Sequence, residues 1–106
     1  MGLLDFLSGS DWEQGLKQFH DTPGAVLLDV RTPEEHQSGH IPDSFNIPLH
    51  MLKQAEILIP QKDTPLFLYC QSGTRSNRAA RLLKLMGYPY VIDLGGISGY
   101  RGNLVK

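Results

Sequence analysis

Apolar residues fall in short continuous runs, and the segments between them carry helical spacing. Ala25-Val26-Leu27-Leu28-Asp29-Val30 is one run, and its unbroken hydrophobicity predicts a strand buried on both faces. Leu66 to Tyr69 predicts a second buried strand and Val91 to Leu94 a third. Ser44 to Ile47 predicts a short strand, closed by Pro48. The first helix is expected from about Asp11 to His20, with Trp12, Leu16 and Phe19 as its apolar stripe. Ser10 and Glu13 have the spacing of a capping box, and Thr22-Pro23-Gly24 stops the helix. Thr32-Pro33-Glu34-Glu35 opens a short second helix, with proline near its first position and acids in its first turn. Gly39 to Asp43 reads as a loop and Leu49 to Ile59 as helix. Ser76 to Met86 carries the clearest pattern: Ala79, Leu82, Leu83 and Met86 share one face, and Gly87 suits the C-terminal cap. Gly95-Gly96 turns the chain into a last short helix near Tyr100. Strands alternating with helices predict an α/β domain, its central sheet mostly parallel with helices on both faces.

Length and composition narrow the class. The 106 residues fit a single domain over 1–106, with 1–9 as an N-terminal extension. A 41% apolar and 20% charged composition is that of a globular chain with its own core. A net charge of −1 points to no nucleic-acid partner. No apolar run is long enough to span a membrane. The N-terminus lacks the basic start and apolar length of a signal peptide, and Phe6 stands where a myristoylation motif needs Ser or Thr. Leu3, Leu4, Phe6 and Leu7 form an apolar cluster expected to pack on the core, with burial against a second subunit or a membrane surface as the alternatives. The single cysteine forms no internal disulfide and fits a reducing, cytoplasmic setting.

That cysteine, Cys70, ends an apolar strand and precedes Gln71-Ser72-Gly73-Thr74-Arg75 and a helix. In parallel α/β sheets, ligands bind at the carboxyl ends of strands. A loop curled around the sulfur would aim its backbone amides inward as an anion cradle. Gly73 permits the turn, Ser72 and Thr74 add hydroxyls, and the helix dipole adds positive charge. Each term favours thiolate over thiol and makes Cys70 a candidate nucleophile. Arg75 has two possible roles, orienting an oxyanion or bracing the loop through its carbonyls. Two blander readings stay open: a small buried hydrophobe, and an ordinary N-cap turn.

Other chemistry is sparse. His36 and His40 have the four-residue spacing of a helical metal pair, but Ser38-Gly39 breaks the helix between them, so no metal is expected. His20 and His50 stand alone. Asp29 and Arg31 suit a structural ion pair at a strand end. Arg75, Arg78 and Arg81 make a basic stripe beside the cysteine, either a solvated face or an attractor of small anions or an acidic partner.

The chain resembles a single-domain rhodanese-type sulfurtransferase over nearly its whole length. Three blocks carry the resemblance. Leu28 to Glu35, with Ser38-Gly39-His40-Ile41-Pro42 and Asn46-Ile47-Pro48, is similar to the first family signature. Cys70-Gln71-Ser72-Gly73-Thr74-Arg75-Ser76 is similar to the active-site loop. Gly95-Gly96-Ile97 through Tyr100 is similar to the closing signature. The resemblance implies that Cys70 takes sulfane sulfur from thiosulfate or a similar small anion as a persulfide. It then passes the sulfur to cyanide or a thiol acceptor, with Gln71, Ser72, Gly73, Thr74 and Arg75 as the binding loop and no cofactor. Four positions depart from the pattern. His36 takes a place often aromatic, Asp43 that of a glycine, Tyr100 that of a tryptophan, and Gln71 that of a basic residue.

Two alternatives follow. Cysteine phosphatases and arsenate reductases place five residues between cysteine and arginine; here only Gln71 to Thr74 intervene, a loop suited to one sulfur rather than a phosphoryl group. The second is a persulfide carrier, which would deliver sulfur to an acceptor protein and turn over free thiosulfate weakly.

Overall fold

A computed structural model describes residues 9–106. The extension expected over 1–9, with its apolar Leu3, Leu4, Phe6 and Leu7, lies outside the described residues but for Gly9. In chain order the elements are α1 (Gly9–Asp21), β1 (Val26–Asp29), α2 (Pro33–Ser38), β2 (Ser44–Asn46), a 3₁₀ segment Leu49–Gln54 running into α3 (Ala55–Leu58), β3 (Leu66–Cys70), α4 (Thr74–Leu85), β4 (Val91–Gly96) and a 3₁₀ turn Ile97–Gly99. The strands form one sheet in the order β2-β1-β3-β4, and every ladder in it is parallel. This is the α/β architecture expected from the alternation of runs and stripes.

Side-chain alternation along the central strands builds two cores. Leu28 and Val30 of the β1 run, with Leu66, Leu68 and Cys70 of β3, face one side and pack with Ala55, Ala79 and Leu83 from α3 and α4. Leu27, Phe67 and Tyr69 face the other side and pack with Trp12, Leu16 and Phe19 of α1. Period-two alternation on a buried strand sends consecutive side chains into opposite layers, so a continuous apolar run feeds both.

Several expectations shift in detail. Helix α1 begins at Gly9, so Ser10 falls inside it rather than at its cap. The helix read over Leu49 to Ile59 divides, because Met51 leaves helical geometry at φ −115°, ψ 21° and only Ala55–Leu58 is α-helical. Its first amide, Leu49 N–H, donates to the Val30 carbonyl and binds that segment to the end of β1. Leu82, read as a core position of α4, is instead 39% exposed. Asp43 has φ +73°. That left-handed backbone explains why a glycine suits the position, and aspartate is among the few side chains that tolerate it.

Candidate active site

The carboxyl ends of β1 and β3 and the N-terminus of α4 converge on Cys70, the last residue of β3, which is fully buried. Its Sγ accepts hydrogen bonds from the N–H of Gly73 at 3.0 Å and of Ser76 at 3.2 Å. The Ser76 hydroxyl lies 3.5 Å from Sγ and also donates to the Gly73 carbonyl at 3.2 Å. Gly73 makes this closure possible with a left-handed φ of +100°, which turns the chain from strand into helix around the sulfur. Two amides and a helix N-terminus thus face one sulfur atom, an arrangement suited to negative charge. Gln71, Ser72 and Thr74 sit exposed on the outer side of the loop. Ser76 lies one residue past the expected binding loop; the small hydroxyl residue in the first turn of a helix was the available signal.

Among the described residues, Arg75 makes no side-chain hydrogen bond to the loop carbonyls. Its guanidinium forms a bidentate pair with Glu35, Nη1 to Oε1 at 2.7 Å and Nη2 to Oε2 at 2.9 Å. Glu35 is itself held by a capping box with Thr32, legible in the Thr-x-x-Glu spacing. The loop after Cys70 is therefore clipped to α2. The Arg75 hydrogen bonds hold the Glu35 carboxyl down at about 2, against an ordinary 4.5. A group whose value falls on folding adds stability above its unfolded value and loses it as pH drops through the folded one. Acid destabilisation between about pH 4.5 and 2 is therefore expected to be shallower in Glu35→Gln than in the parent, by urea denaturation across that range. Parallel curves would show that the clip contributes nothing.

Beneath the loop lies a buried polar cluster. Asp29 accepts from the Arg31 amide at 2.9 Å, from Arg31 Nη2 at 2.7 Å and Nε at 3.0 Å, and from His36 Nδ1 at 2.9 Å. Burial pushes the Asp29 carboxyl up, but the hydrogen bonds from Arg31 and His36 outweigh it and hold it below the usual carboxylate range. Arg31 also donates to the Gly39 carbonyl at 2.8 Å, and its Nη1 reaches Gln71 Oε1 at 3.4 Å. The strand-end ion pair expected from sequence is thus present, and it touches the first residue of the loop. His36 and His40 lie against each other beside this cluster. Their rings stack at 3.8 Å, and the Nδ1 of His40 bonds the His36 carbonyl.

The Gly95-Gly96 pair supplies the seat of the loop, a role its sequence did not reveal. Gly96 pairs with Cys70 across the sheet, and a Cβ there would stand 2.7 Å from both the Gln71 oxygen and the Ser72 carbonyl carbon. Trp12 Nε1 donates to the Gly96 carbonyl at 3.0 Å and pins it from below. Gly96→Ala must displace loop backbone. It is expected to lose about 1–3 kcal/mol of stability and roughly 100-fold in activity. Gly96 has φ −95°, so the added Cβ brings no left-handed strain and the loss reports the clash with the loop. Full activity in Gly96→Ala would show that loop position is not critical.

Residues 13–103 match the rhodanese-like domain family, and the chain belongs to it. It is 38% identical over 86 residues to a sulfurtransferase of Allochromatium vinosum, covering 81% of this chain and 79% of that one. It is 37% identical over 71 residues to the thiosulfate sulfurtransferase PspE of Escherichia coli, covering 66% and 68%. Among solved structures, an E. coli rhodanese with anions superposes with a TM-score of 0.71 at 34% identity, over 77% of this chain and 98% of that one. The family is one of sulfurtransferases, and that class of activity applies here. Among the described residues no helix is long and apolar enough to cross a membrane.

Proposed function

We propose that this sulfurtransferase takes sulfane sulfur from thiosulfate through a Cys70 persulfide. The observation that carries the reading is the sulfur itself, the only thiol in the chain, facing the Gly73 and Ser76 amides at the start of α4. The Cys70 thiolate attacks the outer sulfur of thiosulfate. A new S–S bond forms, the old one breaks, and sulfite leaves with the electron pair. The loop amides then stabilise the anionic persulfide. Cyanide or a thiolate attacks the outer sulfur, the Cys70 S–S bond breaks, and the electron pair returns to Sγ. Atoms and charge balance in both halves, and no second cysteine is needed.

Cys70 is buried, and the Gln71–Thr74 arc that follows it presents Gln71, Ser72 and Thr74 to solvent, the side from which a donor approaches in this scheme. Arg75, clipped to Glu35, acts in this scheme as a positioning residue that anchors one end of that arc. A reducing compartment such as the cytoplasm keeps the lone thiol in its working form.

Initial rates of thiocyanate formation test the scheme. Varying thiosulfate at several fixed cyanide concentrations is expected to give parallel double-reciprocal lines, the pattern of a covalent intermediate. Intersecting lines would mean direct transfer in a ternary complex and would sink the persulfide mechanism. Full sulfur loading with very slow turnover would instead favour the persulfide-carrier reading, with a protein as acceptor.

A further inference from the structure

Trp12 lies on the far side of the sheet from the sulfur. It packs in the α1 layer with Tyr69 and Ile97, whereas Cys70 faces the opposite layer with Val30, Ala79 and Leu83. Its indole nevertheless holds the corner on which the sulfur loop hangs. The ring meets Tyr69, the residue before Cys70, edge to face at 5.9 Å, and meets Tyr100 at 5.5 Å. Its Nε1–H donates to the Gly96 carbonyl at 3.0 Å. Gly99 lies against the same edge of the indole, where a Cβ would stand 3.7 Å from both Cδ1 and Nε1. The indole thus touches both ends of the Gly96–Gly99 corner.

The same corner carries the loop. The Ser98 N–H donates to the Gln71 carbonyl at 3.2 Å, and the Ser76 hydroxyl lies 3.5 Å from the Gly95 carbonyl. Gly96 leaves no room for a Cβ against the Ser72 backbone. These ties fix where the loop begins and ends, and so where the Gly73 and Ser76 N–H groups point. The residue type at position 12 fits this reading. Burial alone asks only for a large aromatic side chain, and tryptophan adds a single directional donor. Here that donor meets the carbonyl of the residue paired with Cys70 across the sheet.

Resting on the sulfur-transfer reading, we infer that Trp12 is a positioning residue for the Cys70 loop, acting across the sheet through the Gly96 carbonyl. Its N–H sets the Gly96–Gly99 corner, and the corner sets the Gln71–Ser72 backbone. That backbone aims the amides that meet the charge on Sγ. Without the donor the corner shifts and the amides lose their aim, which slows formation of the anionic persulfide while the thiol stays in place.

Single-turnover sulfur loading from thiosulfate, followed by intact mass well below the melting temperature, separates aim from fold. The rate constant belongs to folded molecules, and unfolded protein lowers only the amplitude. Trp12→Phe keeps a buried ring and deletes the donor. It is expected to load to full amplitude about tenfold more slowly, the scale of one hydrogen bond. The chain has one tryptophan, so an analogue supplied in its place enters at position 12 alone. Benzothienylalanine, with sulfur where the indole has N–H, should load as slowly as Trp12→Phe. Fluorotryptophan, which keeps the N–H, should load at the parent rate. Phe19→Leu thins the same layer where α1 meets Phe67. It should lower the melting temperature and leave the rate constant unchanged. Trp12→Phe combined with Gly96→Ala should load no more slowly than Gly96→Ala alone, because one residue acts through the other. Parent-like loading with benzothienylalanine, or slowing that multiplies with that of Gly96→Ala, would overturn the positioning role, while loading of the parent left sulfur transfer standing. A parent that takes up no sulfur would overturn the sulfur-transfer reading, and the positioning role with it.

Discussion

Serine in place of Cys70 is expected to leave a folded protein whose thiocyanate formation falls by at least ~10³-fold. The substitution exchanges sulfur for oxygen at one buried position, and the Gly73 and Ser76 amides still have an acceptor to bond. Fold and loop are therefore kept while the chemistry is lost. An alcohol is a far weaker nucleophile than a thiolate, and no other residue in the chain is able to carry a sulfane sulfur. The measurement is thiocyanate release beside a thermal melt of the same sample. A melt close to the parent's with no turnover assigns the loss to chemistry. Residual turnover above about 1% would place the sulfur acceptance elsewhere.

Asp29→Asn is expected to have the largest effect on stability. Asp29 is fully buried, and its Arg31 partner's side chain is only 4% exposed. Removing one member of a buried pair strands the other as an uncompensated charge and costs about 3–5 kcal/mol. The amide group also presents N–H toward the Arg31 guanidinium, where only an acceptor fits. For a domain of this size the melting temperature should fall by roughly 15 °C or more. Urea denaturation reads the same loss as a lower midpoint with an unchanged slope. A change within about 0.5 kcal/mol would mean that the cluster is not a structural keystone. Because Arg31 reaches Gln71, whatever folded protein remains should also show slower sulfur transfer.

Much of this arrangement was legible in the chain. The runs around Leu27 and Leu68 are apolar because their strands are buried on both faces, and that burial is visible as unbroken hydrophobicity. The stripe of Ala79, Leu83 and Met86 places α4 over the sheet, and the small-residue loop after Cys70 marks the strand-to-helix turn. Local pattern failed where a contact spans the fold. The Arg75–Glu35 clip joins residues 40 apart, and Gly96 meets the Ser72 backbone only through the parallel register of β3 and β4. Neither contact leaves a periodic trace. Leu82 kept helical spacing yet left the core: it is 39% exposed and lines a cavity with Pro48, Leu49 and His50. The four-residue spacing of His36 and His40 places the two rings in contact, and their Nδ1 atoms are taken up by Asp29 and a backbone carbonyl.

The most direct test of the central claim is the intact mass of the protein after incubation with thiosulfate and removal of excess donor, beside Cys70→Ser treated alike. The account predicts a gain of one sulfur atom in the parent, reversed by cyanide and absent from the variant. An unchanged parent mass, with the thiol still reduced and open to alkylation, would contradict a thiosulfate-derived persulfide on Cys70.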